Sequence, residues 1–133
     1  MSTLRLAAFG GLSLLFLSAC DPADLTDEVS LIQSIKRPAG DVQAEVNIHS
    51  GGGAAGWVYS SVDLIYGSNA AQTMLKISHG DSPQLVWTSD KELHVRVPCG
   101  EIHDFSNVFF VTSSSELETI QITLDTDGLC RKL

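Results

Sequence analysis

Val42-Gln43-Ala44-Glu45-Val46-Asn47-Ile48 alternates between apolar and polar residues, and this period of two decides the fold. Successive side chains of an extended strand point to opposite faces. Val42, Ala44, Val46 and Ile48 therefore share one buried face, and Gln43, Glu45 and Asn47 share the other. Gly51-Gly52-Gly53-Ala54-Ala55-Gly56 interrupts the alternation. Trp57 to Tyr66 resumes it, with Val58, Ser60, Val62 and Leu64 on one side and Tyr59, Ser61, Asp63 and Ile65 on the other. Two such runs joined by glycines read as a hairpin.

Upstream, Val29 to Ile35 fits a short helix or a strand. The turn Arg37-Pro38-Ala39-Gly40 beside it favours a strand paired with the Val42 run. Downstream, Gly67-Ser68-Asn69 turns the chain into a short strand over Thr73 to Ser78, closed by His79 to Pro83. Leu85 to Thr88 and Leu93 to Val97 flank the hairpin turn Ser89-Asp90-Lys91, and Pro98 ends the second of them. Asn107 to Thr112 is apolar on both faces, as in the centre of a sheet. Ile120, Ile122 and Leu124 alternate with Gln121 and Thr123 in a last strand. Seven or eight short strands separated by turn residues predict an all-β chain, a single small antiparallel β-sandwich or partly open barrel.

The N-terminus is of another kind. Arg5 is the only charge before Cys20, and Leu6 to Leu17 is a weakly polar to apolar run containing Gly10 and Gly11. It is too short for a membrane-spanning helix, which needs about 20 apolar residues. It ends in Leu17-Ser18-Ala19-Cys20, which resembles the processing site of bacterial lipoproteins. That resemblance implies removal of residues 1–19 as a signal peptide and covalent lipid on Cys20. Residues 20–28 would form a tether and residues 29–133 a single β domain. Acyl chains contribute about 0.8 kcal/mol per buried methylene, so several anchor a protein stably. In enterobacterial lipoproteins an aspartate after the cysteine retains the protein in the inner membrane. Asp21 thus implies an inner-membrane anchor facing the periplasm.

Beyond Cys20 the chain holds seven Lys/Arg against sixteen Asp/Glu. This acidity argues against nucleic acid as a partner and against attraction to anionic lipid headgroups, leaving the acyl chains as the membrane contact. With Cys20 lipidated in an oxidising compartment, Cys99 and Cys130 remain as an even pair for a disulfide. It would close a loop of about 30 residues, worth roughly 3–4 kcal/mol in the chain-entropy model.

Several motifs tempt toward chemistry. Gly51 to Gly56 satisfies G-x-G-x-x-G, yet it runs into the strand-like Trp57-Val58-Tyr59 rather than a helix whose amides would hold phosphate. His49-Ser50-Gly51-Gly52 resembles an oxyanion loop, but no G-x-S-x-G nucleophile elbow accompanies it. Cys99 and His103 lack a second ligand pair at zinc spacing, and His49, His79, His94 and His103 show no ligand spacing either. Asp125-Thr126-Asp127-Gly128 begins like a calcium loop and then loses its ligands at Leu129 and Cys130. The expectation is no catalytic residue, no metal and no cofactor beyond the lipid. Trp87 is expected in the core. Gly52, Gly53, Trp57 and Tyr59 are the candidate partner contacts, because aromatics on an exposed rim are favoured at interfaces.

The middle of the chain also resembles a group of small bacterial secreted proteins and lipoproteins without an established activity. The shared elements are Pro38-Ala39-Gly40, Ala44 to Ile48, Gly52-Gly53-Ala54, Val62-x-Leu64, Leu85-Val86-Trp87 and Leu93-His94-Val95. The resemblance implies the β fold and the envelope address only. The expected function is a non-catalytic, membrane-anchored envelope lipoprotein that binds a protein partner or serves as a scaffold. The alternative is an inhibitor or immunity protein against a cell-wall hydrolase or toxin.

Overall fold

In the computed structural model, residues 27–113 and 115–126 are described. Among them nine strands form: β1 (Glu28–Lys36), β2 (Val42–Gly51), β3 (Trp57–Tyr66), β4 (Gln72–Ser78), β5 (Gln84–Ser89), β6 (Glu92–Val97), β7 (Glu101–Phe105), β8 (Val108–Thr112) and β9 (Leu117–Thr126). One sheet has the order β1-β2-β3-β4-β7, the other β5-β6-β9-β8. The sheets do not close into a barrel, so the chain is a β-sandwich. Cys20, Asp21 and Cys130 lie outside the described residues.

The deciding stretch pairs as its pattern requires. Ala44 faces Leu64 and Val46 faces Val62 across an antiparallel β2–β3 ladder. These residues are fully buried with Met74, Leu75 and Ile77 of β4. Leu93, Val95, Phe109, Val111, Ile120 and Ile122 are among the residues of the second sheet in the same core cluster. Each Val, Leu, Ile, Met or Phe side chain among them contributes about 1.5–3 kcal/mol on burial. Trp87 packs against this cluster from its edge.

β1 is a strand, as the turn after it suggested, and it carries a bulge between Leu31 and Gln33. The extra residue shifts the period, so Leu31, Ile32 and Ile35 mimic helical spacing in sequence.

Three features depart from expectation. β6 and β9 pair in parallel, not antiparallel. The chain leaves β6, crosses to the other sheet as β7, and returns through β8, so β9 runs alongside β6 in the same direction. Parallel neighbours need such a long connection. Asn107 to Thr112 supplies β8, an edge strand rather than a central one: Phe109 and Val111 point into the core while Phe110 is 57% exposed. β7 is the ninth strand, and the sequence pattern did not reveal it. All five of its residues are exposed, and backbone pairing to β4 rather than an apolar face defines it.

Arg37 follows β1 and is buried. Its Nη1 donates to Glu118 Oε1 on β9 at 2.8 Å and to the Asp90 carbonyl in the β5–β6 turn at 3.2 Å. One side chain thus joins the two sheets.

Candidate functional site

The glycine loop is a seat for Trp57. Gly51 stands directly opposite Trp57 in the β2–β3 ladder. A Cβ on Gly51 would fall 2.8 Å from Trp57 Cζ2, and one on Gly52 would fall 2.9 Å from Cδ1. Only residues without side chains let the indole lie this close to the loop backbone. Gly52 also adopts φ +89°, which opens the short 3-10 turn Gly53–Ala55. Gly53 has open space around it. Of the four anticipated contacts, Gly52, Trp57 and Tyr59 therefore form one unit, and Gly53 sits at its margin.

From Trp57 a row of rings crosses the outer face of the five-stranded sheet. Trp57 stacks on Tyr59 with centroids 5.4 Å apart at 20°. Tyr59 stacks on His49, its cross-strand partner, at 4.5 Å and 8°. Lys76 Nζ lies 4.7 Å from the Tyr59 centroid. Each aromatic pair contributes about 0.5–1.5 kcal/mol beyond burial, so Tyr59 is firmly held. Trp57 remains 42% exposed.

Below the rings lies a polar network centred on Asp63, which is buried. Its Oδ2 accepts from Asn47 Nδ2 at 2.8 Å and Ser61 Oγ at 2.6 Å, and its Oδ1 accepts from Thr73 Oγ1 at 2.6 Å. His49 Nε2 is 3.0 Å from Ser61 Oγ. Ser61 has one hydroxyl hydrogen, and it is directed to Asp63, so His49 Nε2 is the donor in the His49–Ser61 bond. In the neutral ring His49 Nδ1 is then the bare nitrogen. It is buried without a hydrogen-bond partner, 3.7 Å from Asp27 Oδ2. Ser61, His49 and Asp27 thus follow one another like a hydrolytic triad but cannot act as one. Ser61 is buried, and its hydrogen points away from the imidazole.

Trp57 forms part of the rim of an open groove of about 950 Å³ at this end of β3 and β4. Asp27, Tyr59, Lys76, Ser78 and His103 line it as well. Ser78 Oγ lies 2.5 Å from His103 Nε2 and 3.0 Å from His79 Nδ1. His79 Nδ1 is 3.6 Å from Glu101 Oε2, and His79 has φ +54°, unusual outside glycine. Three of the four histidines thus belong to the five-stranded sheet or its β4 end, while His94 lies on β6 in the other. Among the described residues, no three His, Cys, Asp or Glu side chains gather as a metal site requires.

The sequence reading missed Asp27, Lys76 and Ser78 as groove residues. Once the hairpin register is known, parity finds two of them, because Lys76 and Ser78 pair with Ser61 and Tyr59 on the outward face. The site is a seated, half-exposed indole beside a groove of mixed polarity, carried on a two-sheet β-sandwich. No family model, curated protein or solved structure matches the chain.

Proposed function

We propose that this protein is a non-catalytic recognition module of the bacterial envelope, held to the membrane by lipid on Cys20 and presenting the Trp57 rim to a protein partner. The observation that carries the reading is the seating of Trp57 against Gly51 and Gly52, with Tyr59 and His49 stacked behind it. An exposed aromatic held in place before binding loses little freedom on association, which is what makes such residues dominant contacts. Asp21 supports placement in the inner membrane facing the periplasm, and a Cys99–Cys130 disulfide suits that compartment.

The test is a pull-down from detergent-solubilised envelope with the full chain tagged at its C-terminus, beside its Trp57→Ala variant. A resident protein retained by the first and lost from the second supports the reading. Retention independent of Trp57 removes the rim from it. An empty pull-down turns the search to foreign wall hydrolases, where an acidic chain with a net charge of −8 complements a basic enzyme.

A further inference from the structure

We propose that the groove beside Trp57 binds one ring of a neutral saccharide, with the sugar's C–H face on the indole and its hydroxyls on Asp27, Ser78 and His103. The inference shares with the reading above only the premise that the Trp57 face is a recognition surface, and it names a different class of ligand.

A pyranose has an apolar face of C–H groups and a rim of hydroxyls that both donate and accept. The groove offers a counterpart to each part. Trp57 supplies a flat ring, 42% exposed and backed by glycine. Around it stand a carboxylate that only accepts, an ammonium that only donates, and hydroxyl and imidazole groups that can do either. A volume of about 950 Å³ exceeds what one sugar ring fills, leaving room for an oligosaccharide to continue.

The charges select against the other ligand classes. One carboxylate, Asp27, and one ammonium, Lys76, line the groove, so their formal charges balance in a chain of net charge −8. Lys76 Nζ, 4.7 Å from the Tyr59 centroid, already occupies the position over that ring that a ligand cation would take, and it repels a second cation. Asp27 and the overall negative field disfavour an anion. A neutral, hydroxyl-rich ligand avoids both penalties.

The test uses the full-length, ¹⁵N-labelled protein in dodecylphosphocholine, a detergent without a sugar headgroup. Maltotriose, cellotriose and chitotriose are titrated as neutral probes, with trigalacturonate as the charged control. The expected result is a saturable shift of the Trp57 indole N–H and of the Ser78 and His103 amides with at least one neutral probe. The Trp87 indole, against the core, should stay in place. Trp57→Ala should weaken binding by about tenfold or more, and Trp57→Phe by less, because a ring remains. Ser78→Ala, which leaves the ring row untouched, should weaken binding a few-fold and gives a second line if the Trp57 variants fold poorly. Absence of a saturable shift with all three neutral probes overturns the proposal, as does tighter binding of trigalacturonate or shifts confined away from the groove. If Trp57-dependent protein capture survives that result, only the saccharide is lost. If both fail, the Trp57 face is no recognition surface.

Discussion

Arg37 and Glu118 lie 81 residues apart in sequence, one after the edge strand of the first sheet and one on a central strand of the second, and their side chains meet at 2.8 Å. The guanidinium also holds the Asp90 carbonyl, so the Pro38-Ala39-Gly40 turn positions a polar clamp at one edge of the sandwich. Gly40 serves the same contact. It has φ +89°, and a Cβ there would fall 2.5 Å from Arg37 Nη2.

Removing the guanidinium leaves Glu118 and a carbonyl without their partner. Breaking a buried pair in this way costs about 3–5 kcal/mol, but Glu118 is one-third exposed and water can replace part of the loss. Arg37→Leu should therefore lower stability by about 1–3 kcal/mol in urea unfolding followed by circular dichroism. Gly40→Ala should cost about 1 kcal/mol or more, through strain at positive φ and displacement of Arg37. An unchanged midpoint for Arg37→Leu would show that the clamp contributes nothing.

The Asp63 network predicts a tautomer. Because the Ser61 hydrogen is directed to Asp63, neutral His49 carries its proton on Nε2. Imidazole ¹⁵N shifts of the neutral ring should show this form. Asp63→Ala frees that hydrogen to turn toward the imidazole, and the population should shift to the Nδ1–H form. The variant should also lose about 2–4 kcal/mol, because Ser61 and its neighbours surrender their acceptor. An Nδ1–H form in the unaltered protein contradicts the hydrogen-bond order.

Two glycines should differ sharply in tolerance. A Cβ on Gly80 would run into the Cys99 carbonyl, a backbone atom that cannot swing aside, while the Asp81 amide donates to that same oxygen. A Cβ on Gly53 would meet nothing within 4 Å, although φ is +60°. Gly80→Ala is expected to cost more than about 2 kcal/mol, and Gly53→Ala about 1 kcal/mol. Equal thermal midpoints for the two variants would contradict the close approach at Gly80.

The cysteines are tested by maturation. Cys20→Ala should abolish membrane association and leave the signal uncleaved or cut elsewhere. A variant that still fractionates with membranes at mature length removes the lipid anchor from the account. Cys99→Ser should lower the thermal midpoint under oxidising conditions, in line with roughly 3–4 kcal/mol for the closed loop. An unchanged midpoint counts against the bridge.

What was legible in the sequence follows the chemistry of burial. Val42 to Ile48 and Ile120 to Leu124 place apolar residues on one face, so their period survives and the sandwich could be read. β1 was ambiguous because its bulge moves Ile32 out of step. β7 was invisible because no residue of Glu101–Phe105 is buried. The parallel pairing of β6 with β9 depends on which sheet β7 joins, and local alternation carries no record of that choice. At the site, Trp57, Tyr59 and Gly52 stood out by type and by closeness in sequence. Asp27, Lys76 and Ser78 did not, since the β1–β2, β2–β3 and β3–β4 pairings together are needed to bring them to the same groove end.

The seat under Trp57 gives the most direct test of the candidate surface. Gly51→Ala places a methyl group 2.8 Å from Trp57 Cζ2, so the indole must lift or rotate. The Trp57 indole N–H resonance should move while that of Trp87 stays, and the ring-current shifts on Tyr59 should fall as the stack at 5.4 Å loosens. Stability should change by only about 1 kcal/mol, because Trp57 is half outside the fold and Gly51 has no positive φ to relieve. Binding through the rim should fall much further than stability, separating a surface that recognises from one that only packs. If Gly51→Ala leaves the Trp57 resonance where it was, the indole does not rest on the glycine loop, and the loop has no part in presenting it.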